Sequence, residues 1–308
     1  MEGTSLNKDH DGSFVGYLAA IMADGSNIVF TGSLSKQNRT IVPLEQLKSA
    51  TAIGRIGGSR VLQVSESTVL KVGRKVNMDE AETLLLLAAK TNVPVPKVHT
   101  AYTIGEMGFI LMSKVEGRTL ASCLEDVSRE ELREIALQLK SYVLEWRELR
   151  NSFLGSVDGG PCRDIIFKHP WDYMSTRKYG SFYSFEQYKH GVVEALRLSR
   201  PTGVWYEEEE ELKDRILSFE EERSDSLGVM THGDLHPGNI IIKDGSIEGI
   251  VDWGEAGYSI PGREFFAAKR VAMDPTWIEM IDSSIPCFEE EYKFWDEIDQ
   301  SMKWYSPV

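Results

Sequence analysis

The sequence predicts an α+β chain of two parts, a smaller β-rich part and then a larger, mainly helical one. Residues 52–72 alternate apolar and polar side chains between glycine-bearing and polar turns, which is typical of twisted strands. Residues 128–149 instead repeat apolar side chains at helical spacing, and Ser128 with Glu131 predicts a capping box at their start. We place residues 1–112 in the first part and residues 113–308 in the second.

Length, composition and charge restrict the class of protein. The 308 residues suffice for one large domain or two modest ones, and 42% hydrophobic with 27% charged residues is ordinary for a globular protein. A net charge of −14 argues against the basic surface that nucleic-acid binding needs. The three cysteines are widely spaced and favour a reducing compartment, and the apolar run at residues 14–22 is too short to span a membrane. We therefore expect a cytoplasmic protein without nucleic-acid or membrane partners.

The first candidate for ligand binding is a lysine in the predicted strands. Lys71 lies between Leu70 and Val72, so its side chain points to the face opposite theirs. A solubilising lysine on an edge strand would show the same pattern. Upstream, the pair Gly57–Gly58 belongs either to a simple turn or to a loop that folds over phosphates. Residues 1 to about 40 predict an irregular extension to which we assign no function.

Residues 230–239, Met-Thr-His-Gly-Asp-Leu-His-Pro-Gly-Asn, form the most specific pattern in the chain. They present Asp234 and, five residues later, Asn239. An Asp-Gly pair at residues 244–245 lies between two β-branched runs and predicts a tight hairpin. The hairpin returns Asp252 to the end that holds Asn239, and because adjacent strands lie about 4.8 Å apart, the two side chains are expected to share one metal ion. Mg²⁺ takes such oxygen ligands together with nucleotide phosphates, which leaves Asp234 to accept a proton from a hydroxyl.

The two histidines of this stretch raise the alternative of a zinc site. His232 and His236 have no cysteine near them in the sequence, and the remaining ligands of a tetrahedral site are missing. We therefore predict that His232 braces the loop.

The order of His232-Gly233-Asp234, Asn239, hairpin and Asp252-Trp253 resembles that of the aminoglycoside phosphotransferase and choline kinase group, most closely its fungal members. The resemblance covers about residues 50–270 and implies a two-lobed, protein-kinase-like fold. It also implies transfer of the γ-phosphoryl group of ATP, or of GTP, to a hydroxyl of a small molecule. In that reaction Asp234 would be the base, and Asn239 and Asp252 would hold Mg²⁺.

The same resemblance implies how the nucleotide is held. Lys71 would bind the α- and β-phosphates, and a glutamate on the helix predicted for residues 77–90 would fix its position. Glu80 fits because Leu84 and Leu87 share its face of the helix. Glu82 is the rival for this pairing.

The segment from Leu111 to Gly117 matches the family's hinge between lobes, where adenine is received. Three hinge residues would contact the base, with Met112 lining the pocket, the carbonyl of Ser113 accepting and the amide of Val115 donating. A plain strand end followed by a turn would have the same composition.

Two further stretches, an acidic one at residues 207–211 and an aromatic and acidic one at residues 277–308, are not assigned to the nucleotide site. Five glutamates at residues 207–211 predict a solvated helix start, where acidic side chains favour the N-terminal end of the dipole, and not a metal site. The tail at residues 277–308 corresponds to the part of the family that forms the acceptor pocket.

Two other functions fit part of the pattern. A catalytically silent binding protein would be expected to have lost at least one of Lys71, Asp234, Asn239 and Asp252, and all four are present. A protein kinase is disfavoured because His-Arg-Asp, Asp-Phe-Gly and a following Ala-Pro-Glu do not occur in the expected places. The acceptor stays open among an aminoglycoside, choline or ethanolamine, another amino alcohol and a secondary metabolite, and so does the choice between monomer and dimer.

Overall fold

The computed structural model describes residues 14, 16–22, 27–56, 59–167, 178–200, 205, 207–220 and 227–303. By its internal contacts the chain divides into two units, residues 1–86 with 96–115 and residues 87–95 with 116–308. The predicted phosphate loop at Gly57–Gly58 and much of the predicted N-terminal extension lie outside the described residues. Among the residues described, no helix is long and apolar enough to cross a membrane.

The first unit is built on one antiparallel sheet, as its alternating sequence predicts. Over the described residues the sheet has six strands in the order β1–β5–β6–β4–β3–β2. Helices α1 (Leu44–Ser49) and α2 (Met78–Lys90), the latter up to Leu86, belong with them. The strands are β1 (Ile28–Phe30), β2 (Thr51–Ile56), β3 (Ser59–Gln63), β4 (Thr68–Gly73), β5 (Val98–Ile104) and β6 (Met107–Ser113).

Alternation along β4 sends its side chains to two faces of the sheet. Leu70 and Val72 pack into the hydrophobic core of this unit, whereas Lys71 between them takes the other face. Lys71 lies opposite Val61 of β3 on one side and Ile110 of β6 on the other. It therefore stands on an inner strand, and the interpretation as an edge lysine is wrong.

The segment after residue 27 is more regular than its composition suggests. β1 pairs antiparallel with β5, so that Ile28 lies opposite Ile104 and Phe30 opposite Tyr102. Residues 16–22 are helical, and Leu18 is fully buried in the same core. The expectation of an irregular extension is thus wrong for β1, because a three-residue strand is too short to show an alternating pattern.

The second unit combines helices with short antiparallel strands. Its helices are α3 (Arg129–Arg147), α4 (Phe185–Leu198), α5 (Glu207–Ser218), α6 (Arg263–Arg270), α7 (Pro275–Ser284) and α8 (Glu289–Lys303). Its strands are β7 (Arg118–Thr119), β8 (Arg150–Asn151), β9 (Gly228–Thr231), β10 (Ile240–Lys243), β11 (Ser246–Ile250) and β12 (Gly257–Ser259). In the part of the chain that is described they form two sheets, ordered β11–β10–β7 and β12–β9–β8.

The capping box and apolar stripe predicted for α3 are confirmed. The Ser128 hydroxyl accepts from the Glu131 amide at 3.3 Å, and the Glu131 carboxylate accepts from the Ser128 amide at 3.0 Å. The apolar residues of α3 that are buried recur at helical spacing: Leu132, Ile135, Ala136, Leu139, Val143 and Trp146. This stripe makes α3 the packing helix of the second unit.

The hairpin predicted at Asp244–Gly245 is also confirmed. Both residues have positive φ, 50° and 76°, which is the backbone of the primed turns that match strand twist. Ile240 of β10 lies opposite Ile250 of β11. The residues that flank this pair, among them Asn239, therefore meet at one end of the hairpin.

The glutamate run of α5 differs from its prediction at one position. Glu209 is 5% exposed and forms a buried ion pair with Arg200. The expected solvated helix start is wrong for this residue, because its cation, Arg200, lies nine positions earlier, where no periodic pattern of the sequence links the two residues.

The buried phenol of Tyr102 gives a test of the first unit. Its oxygen accepts from the Val42 amide at 3.0 Å, and burial raises its pKa to about 12. We expect Tyr102→Phe to cost about 1–3 kcal/mol of folding free energy, because the Val42 N–H loses its acceptor. Since the folded state keeps a proton that the unfolded phenol releases near pH 10, stability should fall as the pH rises from 10 to about 12, and Tyr102→Phe should remove that part of the fall.

Urea denaturation of both proteins between pH 7 and 12 measures the two effects. Tyr183→Phe is the matched control, because Tyr183 is 67% exposed. Equal losses in the two variants would contradict the assignment.

Candidate active site

The first unit brings Lys71 and Glu80 together. The Lys71 ammonium donates to both carboxylate oxygens of Glu80, at 2.9 and 2.7 Å. Lys71 is 6% exposed and Glu80 is 2% exposed. Two charges with so little water around them are stable only when paired, so each holds the other in its ionised form and in one position. The Glu80 carboxylate thus serves Lys71.

Glu82 has a different partner. Its Oε1 atom accepts from the hydroxyl of Thr31 and from the amide of Ser33, the latter at 3.1 Å. Burial alone would raise the pKa of Glu82, but the hydrogen bonds from Ser33 and Thr31 outweigh it and hold the pKa below its ordinary value. Of the two glutamates left open by the sequence, Glu80 is the one bonded to Lys71.

The predicted hinge residues lie at the end of β6. Met112 is buried opposite Val69 of β4, and Ser113 is the last residue of the strand. The Ser113 amide donates to the Lys97 carbonyl at 2.9 Å, while its hydroxyl accepts from the Lys97 amide at 2.8 Å. The Ser113 amide is therefore already bonded within the protein. This agrees with the prediction that Ser113 contacts the base through its carbonyl and not through its amide. Val115 is the last residue of the first unit.

In the second unit, four hydrogen bonds connect the predicted catalytic residues in a closed circuit. Asn239 Nδ2 donates to the Asp234 carbonyl at 2.9 Å, and the Asn239 carbonyl accepts from the Val251 amide at 2.9 Å. The Val251 carbonyl lies 3.1 Å from Nε2 of His232, whose Nδ1 accepts from the Asp234 amide at 3.2 Å. This hydrogen-bond ring of Asp234, Asn239, Val251 and His232 ties the candidate catalytic loop, residues 232–239, to the residue that precedes Asp252.

The ring also defines the role of His232. Because its Nδ1 accepts from an amide, that atom carries no proton, and Nε2 must be the atom that donates to Val251. His232 is fully buried, with its ring centroid 4.4 Å from that of Trp253. The prediction that His232 braces the loop is confirmed.

Asn239 and Asp252 have the chemistry of ligands for a hard cation. Asn239 is 6% exposed, and because its amide nitrogen is used in the ring, Oδ1 is the atom able to meet a cation. Within the described residues, no group of three or more His, Cys, Asp or Glu could hold a metal by itself. A cation at this place would need oxygens from a ligand as well, as Mg²⁺ has when it binds with nucleotide phosphates. The two residues fit that kind of site.

The backbone at Asp252 supports a functional role. Its φ of 63° and ψ of 58° lie in the left-handed region, which residues other than glycine rarely adopt. Conformations of this kind cost free energy and are concentrated at active sites. Trp253 beside it is fully buried and donates from its indole to the Ile250 carbonyl at 2.9 Å, which fixes the turn.

Gly233 in the loop cannot be replaced by a larger residue without a clash. Its φ is 79°, and a Cβ atom there would lie 2.5 Å from the carbonyl oxygen of Glu255. The loop therefore passes against the segment after Asp252 with no room for a side chain.

Glu264, which the sequence analysis did not identify, supports this loop from the interior of the second unit. The carboxylate of Glu264 on α6 accepts from the amides of His232 and Gly233, at 2.6 and 3.3 Å, and from the indole of Trp146 at 3.3 Å. Glu264 is fully buried. An acidic residue in the first turn of a helix is ordinary, so nothing in the sequence indicated this role.

Comparison with known proteins places these features in context. A family model described as the phosphotransferase enzyme family (APH) matches residues 54–284, more than half of the chain. No curated protein is similar enough to be matched.

Solved structures of aminoglycoside phosphotransferases resemble the chain over most of its length. The GDP complex of wild-type aminoglycoside 2′-phosphotransferase-IIIa is 15% identical, with a TM-score of 0.56 over 95% of this chain and 89% of that one. A thermostable mutant of aminoglycoside phosphotransferase APH(4)-Ia is 13% identical, with a TM-score of 0.54 over 83% and 86%. The streptomycin–ATP–APH(2″)-IIa ternary complex is 15% identical, with a TM-score of 0.52 over 89% and 88%. This likeness confirms the predicted α+β, protein-kinase-like fold.

Removal of the Glu264 carboxylate should destabilise the second unit. Glu264→Ala leaves two buried amides and one buried indole N–H without an acceptor, so we expect a loss of about 3 kcal/mol or more, measured by urea denaturation. Glu279→Ala is the control, because Glu279 is an exposed residue of α7 and should change stability by less than about 0.5 kcal/mol. A Glu264→Ala variant as stable as this control would contradict the supporting role.

Proposed function

Because the chain belongs to the phosphotransferase enzyme family, we propose that it transfers the γ-phosphoryl group of ATP, or of GTP, to a hydroxyl of a small molecule. The predicted enzyme class, a small-molecule phosphotransferase, is confirmed by this membership. The observation that carries the finer proposal is the hydrogen-bond ring. It holds Asp234 and Asn239 in a fixed relation to the residue before Asp252, and phosphoryl transfer depends mainly on such positioning.

Asp234 is proposed as the base. Its side chain is half-buried, while its amide and carbonyl are both engaged in the ring. The main chain of Asp234 is therefore fixed at both ends, and the carboxylate is left to orient the acceptor hydroxyl and to take its proton as the new P–O bond forms. A positioned general base of this kind contributes about 10²- to 10⁴-fold to the rate.

Asn239 Oδ1 and the Asp252 carboxylate are proposed to hold Mg²⁺. When bound, the ion neutralises charge on the β- and γ-phosphate oxygens. The ring fixes Asn239 through its side-chain nitrogen and its carbonyl, and the left-handed backbone at Asp252 fixes the second ligand. The left-handed backbone at Asp252 costs folding free energy at one of the two proposed ligands.

The remaining groups are proposed to bind the nucleotide. Lys71, held by Glu80, is assigned to the α- and β-phosphates, because a buried ammonium kept charged by one carboxylate is suited to an anionic partner. Three residues at the end of β6 are assigned to the base: Met112, Ser113 through its carbonyl, and Val115 through its amide. ATP and GDP occur in complexes of the structural neighbours, which supports a purine nucleotide as the donor.

A hydroxylated small molecule is proposed as the acceptor. Streptomycin is present in one neighbouring complex, which supports this class of compound without selecting a member of it. Fold likeness by itself does not determine a substrate.

The nucleotide site is tested by thermal denaturation with Mg-ATP, Mg-GTP and metal-free ATP. Ligand at about a hundred times its dissociation constant should stabilise the folded state by about 2.7 kcal/mol. Asp252→Asn should abolish the metal-dependent part of this stabilisation and keep the metal-free part, because asparagine tolerates the left-handed backbone but lacks the charge. No stabilisation of the wild type by any nucleotide would refute the proposal, and equal metal dependence in Asp252→Asn would refute the metal assignment.

The base is tested by Asp234→Asn. We expect the rate of phosphoryl transfer to a panel of hydroxylated metabolites to fall by about 10²- to 10⁴-fold, while calorimetry shows unchanged Mg-ATP affinity. Asp244→Asn is the matched control, because Asp244 is an exposed turn residue whose positive φ asparagine also tolerates. A wild-type rate in Asp234→Asn would remove Asp234 from this role. Nucleotide binding by a wild type that phosphorylates none of the acceptors would favour the catalytically silent binding protein.

A further inference from the structure

The segment that begins with β1 and ends shortly before α1 lies along β5 and is bonded to it. We call residues 28–42 the N-terminal strap. The Thr31 amide donates to the Ala101 carbonyl at 3.1 Å, and the Thr100 hydroxyl donates to the Thr40 carbonyl at 2.6 Å. The Val42 amide donates to the hydroxyl of Tyr102. The strap is therefore fixed to the sheet at both of its ends.

The strap is also bonded to helix α2, through Glu82. The Oε1 atom of Glu82 accepts from the Thr31 hydroxyl and, at 3.1 Å, from the Ser33 amide. Thr31 is 5% exposed and Glu82 is 8% exposed, so water competes little for these bonds. Arg39 stiffens the same turn by donating to the carbonyls of Leu34 and Gly32, at 3.3 and 3.4 Å.

Glu80 and Glu82 therefore hold opposite sides of one helical turn. Two residues along an α-helix correspond to a rotation of about 200° and a rise of about 3 Å. Glu80 reaches Lys71 on β4 from one side, and Glu82 reaches the strap from the other. Rotation of the start of α2 about its axis would break the Glu82 bonds together with the Glu80 bonds.

We propose that Glu82 is a positioning residue, through which the N-terminal strap fixes α2 and thereby sets the Lys71–Glu80 pair for the nucleotide phosphates. The inference rests on the proposed function, since it takes Lys71 to be a phosphate ligand. It gives the strap, which supplies none of the proposed ligands, control over nucleotide affinity.

Two pairs of variants test the proposal. Glu82→Leu and Thr31→Val remove the acceptor and the donor, and each should weaken Mg-ATP binding in calorimetry by about tenfold, the equivalent of one charged hydrogen bond. Glu82→Gln and Thr31→Ser keep an Oε1 acceptor and a hydroxyl, and each should retain most of the affinity. Thr51→Val, at an exposed position of β2, is the control and should bind as the wild type does. Wild-type affinity in Thr31→Val would overturn the proposal.

A double-mutant cycle separates positioning from general destabilisation. If Glu82 acts through Lys71, Thr31→Val should have almost no further effect on nucleotide affinity in a Lys71→Ala background. The same fold-loss in both backgrounds would overturn the proposal.

Hydrogen exchange without nucleotide gives a second readout. Thr31→Val should lower the protection of the α2 amides that follow its first turn and bond to the carbonyls of that turn, relative to Thr51→Val. Unchanged protection would overturn the inference. Absence of nucleotide binding in the wild type would instead refute the proposed function, and the exchange result would then decide alone whether the strap holds α2.

Discussion

The hydrogen-bond ring of Asp234, Asn239, Val251 and His232 is the constraint on which the candidate active site depends. Every bond in it joins a side chain to the main chain or two main-chain groups. No bond of the ring therefore uses the Asp234 carboxylate or the Asn239 amide oxygen. The ring fixes the backbone on both sides of the hairpin without using these oxygen atoms. A preorganised site needs this combination of a fixed backbone and side-chain atoms that a ligand can meet.

The ring is supported by buried groups that a surface loop would not have. The amides of His232 and Gly233 point into the protein and would be costly without an acceptor. The Glu264 carboxylate provides that acceptor, and the Trp146 indole shares it. Trp253 packs between His232 and Trp146, with its ring centroid 4.4 Å from that of His232 and 5.3 Å from that of Trp146. The same residues thus build the core of the second unit and set the geometry of its candidate catalytic loop.

In the first unit, too, a buried polar group is held by a buried carboxylate, and here both groups are charged. Lys71 sits on an inner strand, where its burial would be unfavourable without Glu80. α2 carries Glu80 on one side and Glu82 on the other, so a single turn of helix is held by the sheet and by the strap. A short segment without an evident sequence pattern thereby holds the helix that carries Glu80.

The sequence by itself determined the α+β class, the capped and striped α3 and the Asp244–Gly245 hairpin, and it indicated Lys71, Asp234, Asn239 and Asp252 as candidate site residues. These depend on local periodicity, turn chemistry and residue order, which are readable along the chain. Only the tertiary structure decided between Glu80 and Glu82, placed Glu264 beneath the loop and joined the strap to α2. Each of these three results depends on which buried donor bonds to which buried carboxylate, over separations of 9 to 51 positions. Sequence spacing does not indicate which of these pairs form.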